Sequence, residues 1–144
     1  MLALFAHGVP SVFSTLLYGG TLHFQLGQNT YYSYNNRGNS FSRLGDYNKA
    51  IDDFTHAIHI GPKIGRPYLN RGANYQKMGK YNEAIKDYDK GIELDPQDAM
   101  AYRNRGSLYF ELGNHDQAIK DYKIGARLGD KKAQDILKSK RIEW

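Results

Sequence analysis

Cysteine is absent from this chain of 144 residues. Its absence excludes disulfide scaffolds, thiolate zinc sites and cysteine nucleophiles, although it does not fix the compartment. Proline is scarce, with four residues, whereas glycine and tyrosine number 15 and 12. Apolar residues make up 40% of the chain and charged residues 24%, a composition typical of one globular domain rather than of a disordered or membrane-spanning protein.

Charge is also absent from one end of the chain. Residues 1–29 contain no Asp, Glu, Lys or Arg. Residues 30–119 carry twelve basic and eleven acidic side chains, and residues 120–144 carry eight basic and four acidic ones, so the net charge of +5 belongs mostly to the C-terminal end. A nucleic-acid groove needs basic charge along its binding face. The nearly neutral body therefore disfavours DNA or RNA as a partner.

The chain matches itself when it is shifted by 34 residues. The motif YNNRG at 34–38 overlies YLNRG at 68–72 and YRNRG at 102–106. An aromatic residue, a glycine, an Ala-Ile pair and a second aromatic residue follow at fixed distances in every unit, as Phe41, Gly45, Ala50 and Phe54 do in the first. Such a period predicts a stack of similar structural units.

Each unit predicts two helices. In the second unit Tyr68, Gly72 and Tyr75 share one face of a first helix, and Gly79 follows where a left-handed residue commonly ends a helix. The second helix carries an apolar stripe that ends at Asp95-Pro96: Ala84, Ile85, Tyr88, Ile92 and Leu94. The small residues allow two helix backbones to approach closely, and the tyrosines fill the space beside them.

This 34-residue pattern resembles the tetratricopeptide repeat. The resemblance implies an all-α, right-handed α-solenoid of three helix-turn-helix units at 31–64, 65–98 and 99–130, with a concave groove for a peptide or protein. Residues 131–144 are predicted to form a capping helix and tail, because Ala133, Ile136 and Leu137 make a narrow apolar stripe that covers the last open face.

Residues 1–30 match the repeat poorly, and several interpretations stay open. The segment could be a degenerate second helix from an upstream repeat, because Leu16–Gly27 overlies Ala50–Gly61. It could instead be an apolar arm packed on the stack or a targeting remnant, although it lacks the basic start of a signal peptide. Pro10 and Gly19-Gly20 break it too often for a membrane span. If it docks on another copy, the protein forms a homo-oligomer.

No constellation for catalysis emerges, so no enzyme activity, cofactor or metal is predicted. Asp52, His56 and His59 share one helix face, as a metal site would require. The same positions in the next unit are Lys86, Lys90 and Glu93, so we expect a solvated outer face. The chain is expected to be soluble, with the cytoplasm favoured over export.

Each unit also pairs an arginine with an aspartate 16 residues later, as in Arg37 and Asp53. The common family pattern carries an apolar residue at the first place and often tyrosine at the second. A bidentate ion pair inside the stack explains both substitutions. The alternative is that these arginines face a ligand.

By analogy with the family, the first helices supply the groove residues. The predicted ligand-binding residues are Tyr32, Asn35, Asn36, Asn39, Arg43, Arg66, Leu69, Asn70, Lys77, Met100, Arg103, Asn104 and Phe110. Four cations against Glu111 predict a protein or peptide partner with acidic character, and the asparagines suit contacts with a peptide backbone. The alternative of capping polar groups within the stack stays open for them.

Some family members grip the terminal carboxylate of chaperone tails with two lysines, two asparagines and one arginine. This chain matches that clamp at Asn39 and Asn70 and departs from it at Asn35, Met100 and Asn104. We therefore predict a protein-interaction scaffold that does not bind such tails. An RNA-binding helical repeat is the alternative, but the groove positions follow no code from unit to unit.

Overall fold

The computed structural model describes the backbone of residues 19–144 and the side chains of residues 30–144. Within this part the chain forms seven helices and no strands. The helices are α1 Gly19–Arg43, α2 Tyr47–Ile60, α3 Gly65–Lys77, α4 Tyr81–Leu94, α5 Ala99–Glu111, α6 His115–Arg127 and α7 Lys131–Ser139. The predicted all-α fold is confirmed.

The helices form three pairs that stack in chain order. The largest contacts join α1 to α2, α3 to α4 and α5 to α6, and smaller ones join each pair to the next. The first helices of neighbouring repeats also touch each other, α1 to α3 and α3 to α5, whereas the second helices make no contact of that extent. The stack therefore curves, and its inner surface is formed by α1, α3 and α5.

Glycine ends the first helix of every repeat. Gly79 has a φ of +72°, in the left-handed region that glycine adopts without steric cost. The backbone N–H of Lys80 donates to the carbonyl of Tyr75 at 2.9 Å, and that of Gly79 donates to Gln76 at 3.0 Å. These two bonds form a Schellman motif, and the motif turns the chain into α4.

A second glycine in each repeat allows the two helices to approach. A Cβ on Gly72 would lie 3.1 Å from the ring of Tyr88 and 3.2 Å from the carbonyl oxygen of Ala84. Both of these neighbours are buried. The predicted close approach is confirmed, and it explains why a small residue faces an aromatic one in every unit.

The predicted arginine–aspartate pairs are present in all three repeats. Arg71 donates from Nε and Nη2 to both oxygens of Asp87 at 2.8 Å, and its Nη1 donates to Thr55 of the preceding repeat at 3.0 Å. Arg105 forms the same bidentate bond with Asp121 at 2.8 Å. The hydrogen bond to the aspartate raises the pKa of each of these two guanidinium groups above its usual value.

These arginines also bind the preceding repeat and the surrounding rings. Nη1 of Arg105 donates to Asp89 of repeat 2 at 2.7 Å, and its guanidinium lies 5.9 Å from the ring centroids of Tyr102 and Tyr109. Every branch of Arg105 is therefore engaged within the stack. Arg37 binds Asp53 at 2.7 and 2.8 Å in the same way, so the ion-pair interpretation holds for all three repeats.

The N-terminal segment continues the first helix. Helix α1 runs without a break from Gly19 to Arg43, so the turn that a separate degenerate helix would need after Gly27 is missing. Residues 19–30 therefore extend the first helix of repeat 1, contrary to the interpretation as a separate second helix. The packing-arm and targeting interpretations fall mainly on residues 1–18, which lie outside the described residues.

Helix α7 covers the last repeat as predicted. Asp130 accepts a hydrogen bond from the backbone N–H of Ala133 at 2.7 Å and caps the helix. Ala133 and Leu137 are fully buried in a cluster with Tyr122 of α6. With nine residues, α7 is shorter than the first helices of repeats 2 and 3, which have 13.

Replacing one member of the Arg105–Asp121 pair should destabilise the fold far more than replacing both. Arg105→Leu leaves Asp121, whose side chain is 1% exposed, charged without its partner, so we expect a loss of about 3 kcal/mol in the free energy of unfolding. The double variant with Asp121→Tyr carries the common family pair and should recover most of that loss. Urea denaturation of the two single variants and the double variant measures the coupling energy between Arg105 and Asp121. If the two single losses simply add in the double variant, the two residues are not coupled and the prediction is wrong.

Candidate functional site

The inner surface of α1, α3 and α5 carries most of the predicted groove residues in exposed positions. Exposed there are Tyr32, Asn36, Arg43, Arg66, Lys77, Met100 and Phe110. Half-buried are Asn39, Asn70, Arg103 and Asn104, and buried are Asn35 and Leu69. The surface is thus a mixture of free side chains and side chains that the stack itself uses.

Leu69 is a core residue and not a ligand contact. It is 4% exposed and packs in a cluster with Ala84, Tyr88 and Leu108. Its side chain occupies the space that a Cβ on Gly91 would need. The prediction of Leu69 as a groove residue was wrong. Gly91 on the facing helix has no Cβ, and the leucine side chain fills the space that this leaves.

Asparagine pairing links repeats 1 and 2. The Nδ2 of Asn70 donates to Oδ1 of Asn35 at 3.2 Å, and Asn35 is 9% exposed. For this pair the alternative of polar contacts within the stack is correct. Asn70 and Asn35 therefore keep only part of their hydrogen-bonding capacity for a ligand.

Two of the four predicted groove cations form ion pairs with the aspartates that cap the following helices. Arg103 donates from Nε to Asp130 at 3.1 Å, and Arg66 lies 3.5 Å from Asp98. Both aspartates are N-cap residues, Asp98 of α5 and Asp130 of α7, so these ion pairs tie α3 to the start of α5 and α5 to the start of α7. They contribute no net charge to the inner surface.

The other two cations, Arg43 and Lys77, stand at the same place in successive repeats. Each is exposed and is the last residue of its helix, α1 or α3, where the helix dipole favours positive charge. No ion pair joins either of them to the described part of the chain. An opening of about 320 Å³ is lined by Arg43 with Asn39 and Ser42.

Glu111 stands at the corresponding place in repeat 3 and closes the junction with repeat 2. Its carboxylate accepts hydrogen bonds from Gln76 at 2.8 Å and from Tyr81 at 3.0 Å. Tyr88 in turn donates to Gln76 at 2.9 Å. The bond to Glu111 raises the pKa of the Tyr81 hydroxyl above its usual value. A hydrogen-bond chain therefore joins repeats 2 and 3 at the ends of α3 and α5.

An apolar cavity opens where repeat 3 meets the cap. It has a volume of about 230 Å³ and is lined by Phe110, His115, Ile119, Tyr122 and Lys140. The ring centroids of Phe110 and His115 are 4.7 Å apart, and the ammonium group of Lys140 lies 4.5 Å from the ring centroid of Phe110. Sequence reasoning missed all of these except Phe110 as site residues, although the shortness of the capping helix was a usable signal.

The outer face holds the histidines that raised the question of a metal. His56 stacks on Tyr34 at 4.9 Å, and its Nδ1 is 2.8 Å from the main-chain oxygen of Asp52. His56 and His59 line a surface cavity of about 510 Å³ with Tyr34. Across residues 30–144 no three histidine or acidic side chains are grouped so that they could hold a metal ion.

The hydropathy of the helices is also informative. None of the helices in the described residues is both long enough and apolar enough to cross a membrane.

Comparison with protein-family models identifies the same kind of helical repeat that the geometry shows. The tetratricopeptide repeat model matches residues 31–64, and a second model, described as TPR repeat, matches residues 75–113. A search of curated protein sequences gave no match.

Several solved structures resemble the chain. The second TPR domain of Spaghetti (RPAP3), bound to the HSP90 peptide SRMEEVD, is 32% identical, with a TM-score of 0.67 and coverage of 72% of this chain and 98% of that one. The second TPR domain of human RPAP3, in complex with the HSP70 peptide SGPTIEEVD, is 30% identical, with a TM-score of 0.71 and coverage of 81% and 99%. The Arabidopsis OM64 TPR domain, 24% identical, shares the fold with a TM-score of 0.74 over 80% and 97%.

Helical pairs with a 34-residue period, the matching family models and these structures define the class as a helical-repeat solenoid. The chain belongs to the tetratricopeptide repeat family.

The assignment of Leu69 to the core predicts a specific loss of stability. Leu69→Ala should lower the free energy of unfolding by about 2–4 kcal/mol, because it removes buried methyl groups and leaves a cavity. Met100→Ala, on the same inner surface but 39% exposed, should change it by less than about 0.5 kcal/mol. Thermal unfolding followed by circular dichroism compares the two; equal effects would place Leu69 on the surface after all.

Proposed function

We propose that the protein is an interaction scaffold that binds an extended, acidic peptide segment of a partner on the inner surface of its repeats. The observation that carries the proposal is the pair of exposed cations, Arg43 and Lys77, at the same place in neighbouring repeats. The repeat period sets two positive charges side by side along the groove, and an extended chain with acidic side chains is complementary to them.

Apolar and amide side chains complete the proposed surface. Tyr32, Met100 and Phe110 are 56%, 39% and 41% exposed, so they can bury apolar surface against a ligand. Asn36 and Asn39 offer both donors and acceptors, which suits contacts with a peptide backbone whatever its sequence. The RPAP3 domains described above hold peptides, and their similarity to this chain supports a peptide as the ligand class.

Among residues 30–144, the geometry does not favour catalysis or nucleic-acid binding over this function. The inner surface combines two free cations with Glu111 and two arginines neutralised by aspartates, which is too little basic charge for phosphate-dominated binding. Self-association through residues 1–30 stays a prediction from the sequence. Light scattering of the full chain over a concentration series tests it, and a monomer at every concentration would contradict it.

The test of the proposed function is a charge reversal on the groove matched by one on the outer face. A phage-displayed library of random peptides is selected on the full chain, and the affinity of the enriched peptides is measured by fluorescence anisotropy. Lys77→Glu should weaken binding about tenfold, since a charge-assisted hydrogen bond contributes roughly 1.5–3 kcal/mol. Lys86→Glu, an exposed change on α4, should leave the affinity unchanged. Failure to enrich any peptide, or equal losses in both variants, would contradict groove binding.

The proposed groove should not hold chaperone tails. The peptides SRMEEVD and SGPTIEEVD should show no measurable binding to the chain, because the clamp positions Asn35, Met100 and Asn104 lack the cations that attract a terminal carboxylate. The double variant Met100→Lys, Asn104→Arg should gain binding, since both positions accept exposed or half-buried side chains. Isothermal titration calorimetry measures the affinity of both peptides for the unchanged chain and for the double variant. Micromolar binding by the unchanged chain would contradict the prediction and show that other groups bind the carboxylate.

A further inference from the structure

We propose that the outer side of repeat 3 binds the surface of an anionic phospholipid bilayer. This function belongs to a different surface from the inner one, so it does not depend on peptide binding. The site is the basic face, which we define as the outward side of α6 together with the start of α7. Its residues are Lys120, Lys123, Ile124, Arg127, Lys131 and Lys132.

Helix spacing places the cations of α6 on one side. Lys120, Lys123 and Arg127 follow each other at intervals of three and four residues, so they are neighbours on the helix surface. Lys120 and Arg127 are exposed and Lys123 is half-buried, whereas the opposite side of α6 is buried in the stack. Only three residues separate the end of α6 at Arg127 from the start of α7 at Lys131. Lys131 and Lys132 are exposed and extend the same cluster.

The equivalent positions on α2 and α4 carry no such excess of positive charge. Repeat 1 has Asp52, Thr55, His56 and His59 there, and repeat 2 has Lys86, Asp89, Lys90 and Glu93. In repeat 2 the two signs balance, and Lys90 pairs with Glu93 at 2.7 Å. Mixed charge of this kind is typical of a solvated helix face. The single sign of charge on α6 sets repeat 3 apart.

The end of the ion-pair series releases Lys123 from a structural role. Its equivalents, Thr55 and Asp89, accept hydrogen bonds from the arginine of the following repeat. Helix α7 has Ser139 at the place of that arginine. No acceptor is needed at position 123, so a cation can stand there.

The basic face opposes the stability of the stack. Like charges three or four residues apart on a helix repel each other. Lys131 and Lys132 lie in the first turn of α7, where the helix dipole disfavours cations and where no acidic residue stands. An anionic surface would relieve both kinds of repulsion.

The neighbouring carboxylates do not neutralise the basic face. Asp130, which caps α7, is paired with Arg103. The exposed side chains of Asp116 and Asp135 flank the face, and within residues 30–144 no ion pair involves any of its five cations. Five cations against these two free acids leave a net charge of +3. A negatively charged surface is therefore complementary to it.

Ile124 favours a bilayer over a nucleic acid as the partner. Its side chain is 36% exposed in the middle of the basic face, where a phosphate backbone offers it no apolar contact. A bilayer interface takes up an apolar side chain among lysines when a helix lies on it. Four of the five cations are lysines, which act as point charges rather than as bidentate phosphate ligands. A cluster of about four to eight basic residues is also typical of segments that bind anionic lipids.

The test is co-sedimentation of the full chain with lipid vesicles. One set of vesicles contains about two parts phosphatidylcholine to one part phosphatidylserine, an anionic lipid that attracts polybasic segments. The other set contains phosphatidylcholine alone. The unchanged chain should bind the anionic vesicles and not the neutral ones, and high salt should weaken binding because it screens exposed charges.

The charge-reversal variant uses residues that the other repeats already have. Lys120→Asp and Arg127→Glu together install the equivalents from repeats 1 and 2. They should weaken binding to anionic vesicles at least about 25-fold, since each cation near such a surface contributes roughly fivefold. The matched control, Lys63→Glu with Lys80→Asp, reverses two exposed cations outside the basic face and should retain the affinity. Circular dichroism verifies that each variant folds.

A neutral variant separates the bilayer from other anionic partners. Ile124→Gln keeps every charge and should weaken vesicle binding about threefold, because it removes apolar surface from the interface. The proposal is overturned if the unchanged chain does not bind the anionic vesicles, or if the control loses as much affinity as the charge-reversal variant. Binding of a DNA duplex through the same cations, without binding of vesicles, would identify a nucleic-acid surface and overturn it as well.

Discussion

The rest of the structure depends on the bidentate ion pair between the two helices of each repeat. The pair fixes the rotation of one helix against the other, because a planar guanidinium group meets both carboxylate oxygens in only one geometry. Its third branch then reaches the second helix of the preceding repeat, as Arg71 reaches Thr55 and Arg105 reaches Asp89. The same side chain thus sets the geometry within a repeat and between repeats. A buried ion pair adds little net stability, so its contribution here is to specify the register of the stack.

This internal use of polar groups determines what the inner surface can offer a ligand. Arg66 and Arg103 bind the N-caps that follow them, and Asn35 binds Asn70. Glu111 bridges two side chains of repeat 2. The side chains left free are few, and they are unevenly distributed. The groove therefore has a sequence of chemical environments along its length, although the backbone repeats regularly.

The sequence predicts the fold well because the repeat period encodes it three times over. Gly72 opposite Tyr88 and the left-handed Gly79 follow from spacing alone, and the arginine–aspartate pairing follows from two substitutions that always occur together. The groove is predicted less well. Position in the repeat placed Leu69 on the inner surface, but whether a residue there faces outward depends on its neighbour across the helix pair, and Gly91 made room for it inside. The pairing of Arg103 with Asp130 likewise joins residues 27 positions apart, and the repeat pattern does not reveal it because repeat 2 has Leu69 at the place of Arg103.

At the end of the stack the series of ion pairs stops, and the short helix α7 covers the last apolar face. A further arginine in α7 would need an aspartate from a following second helix, and the described chain has none after α7 to supply it. Ser139, the last residue of α7, stands 34 residues after Arg105, so no guanidinium group is left there without its partner. Because α7 only has to cover an apolar face, nine residues are enough for it. The last turn that a complete repeat would have is then missing, and the apolar cavity beside Phe110 occupies that place. The ion-pair series therefore stops at repeat 3, and the apolar cavity beside Phe110 lies against Lys140, the residue that follows α7.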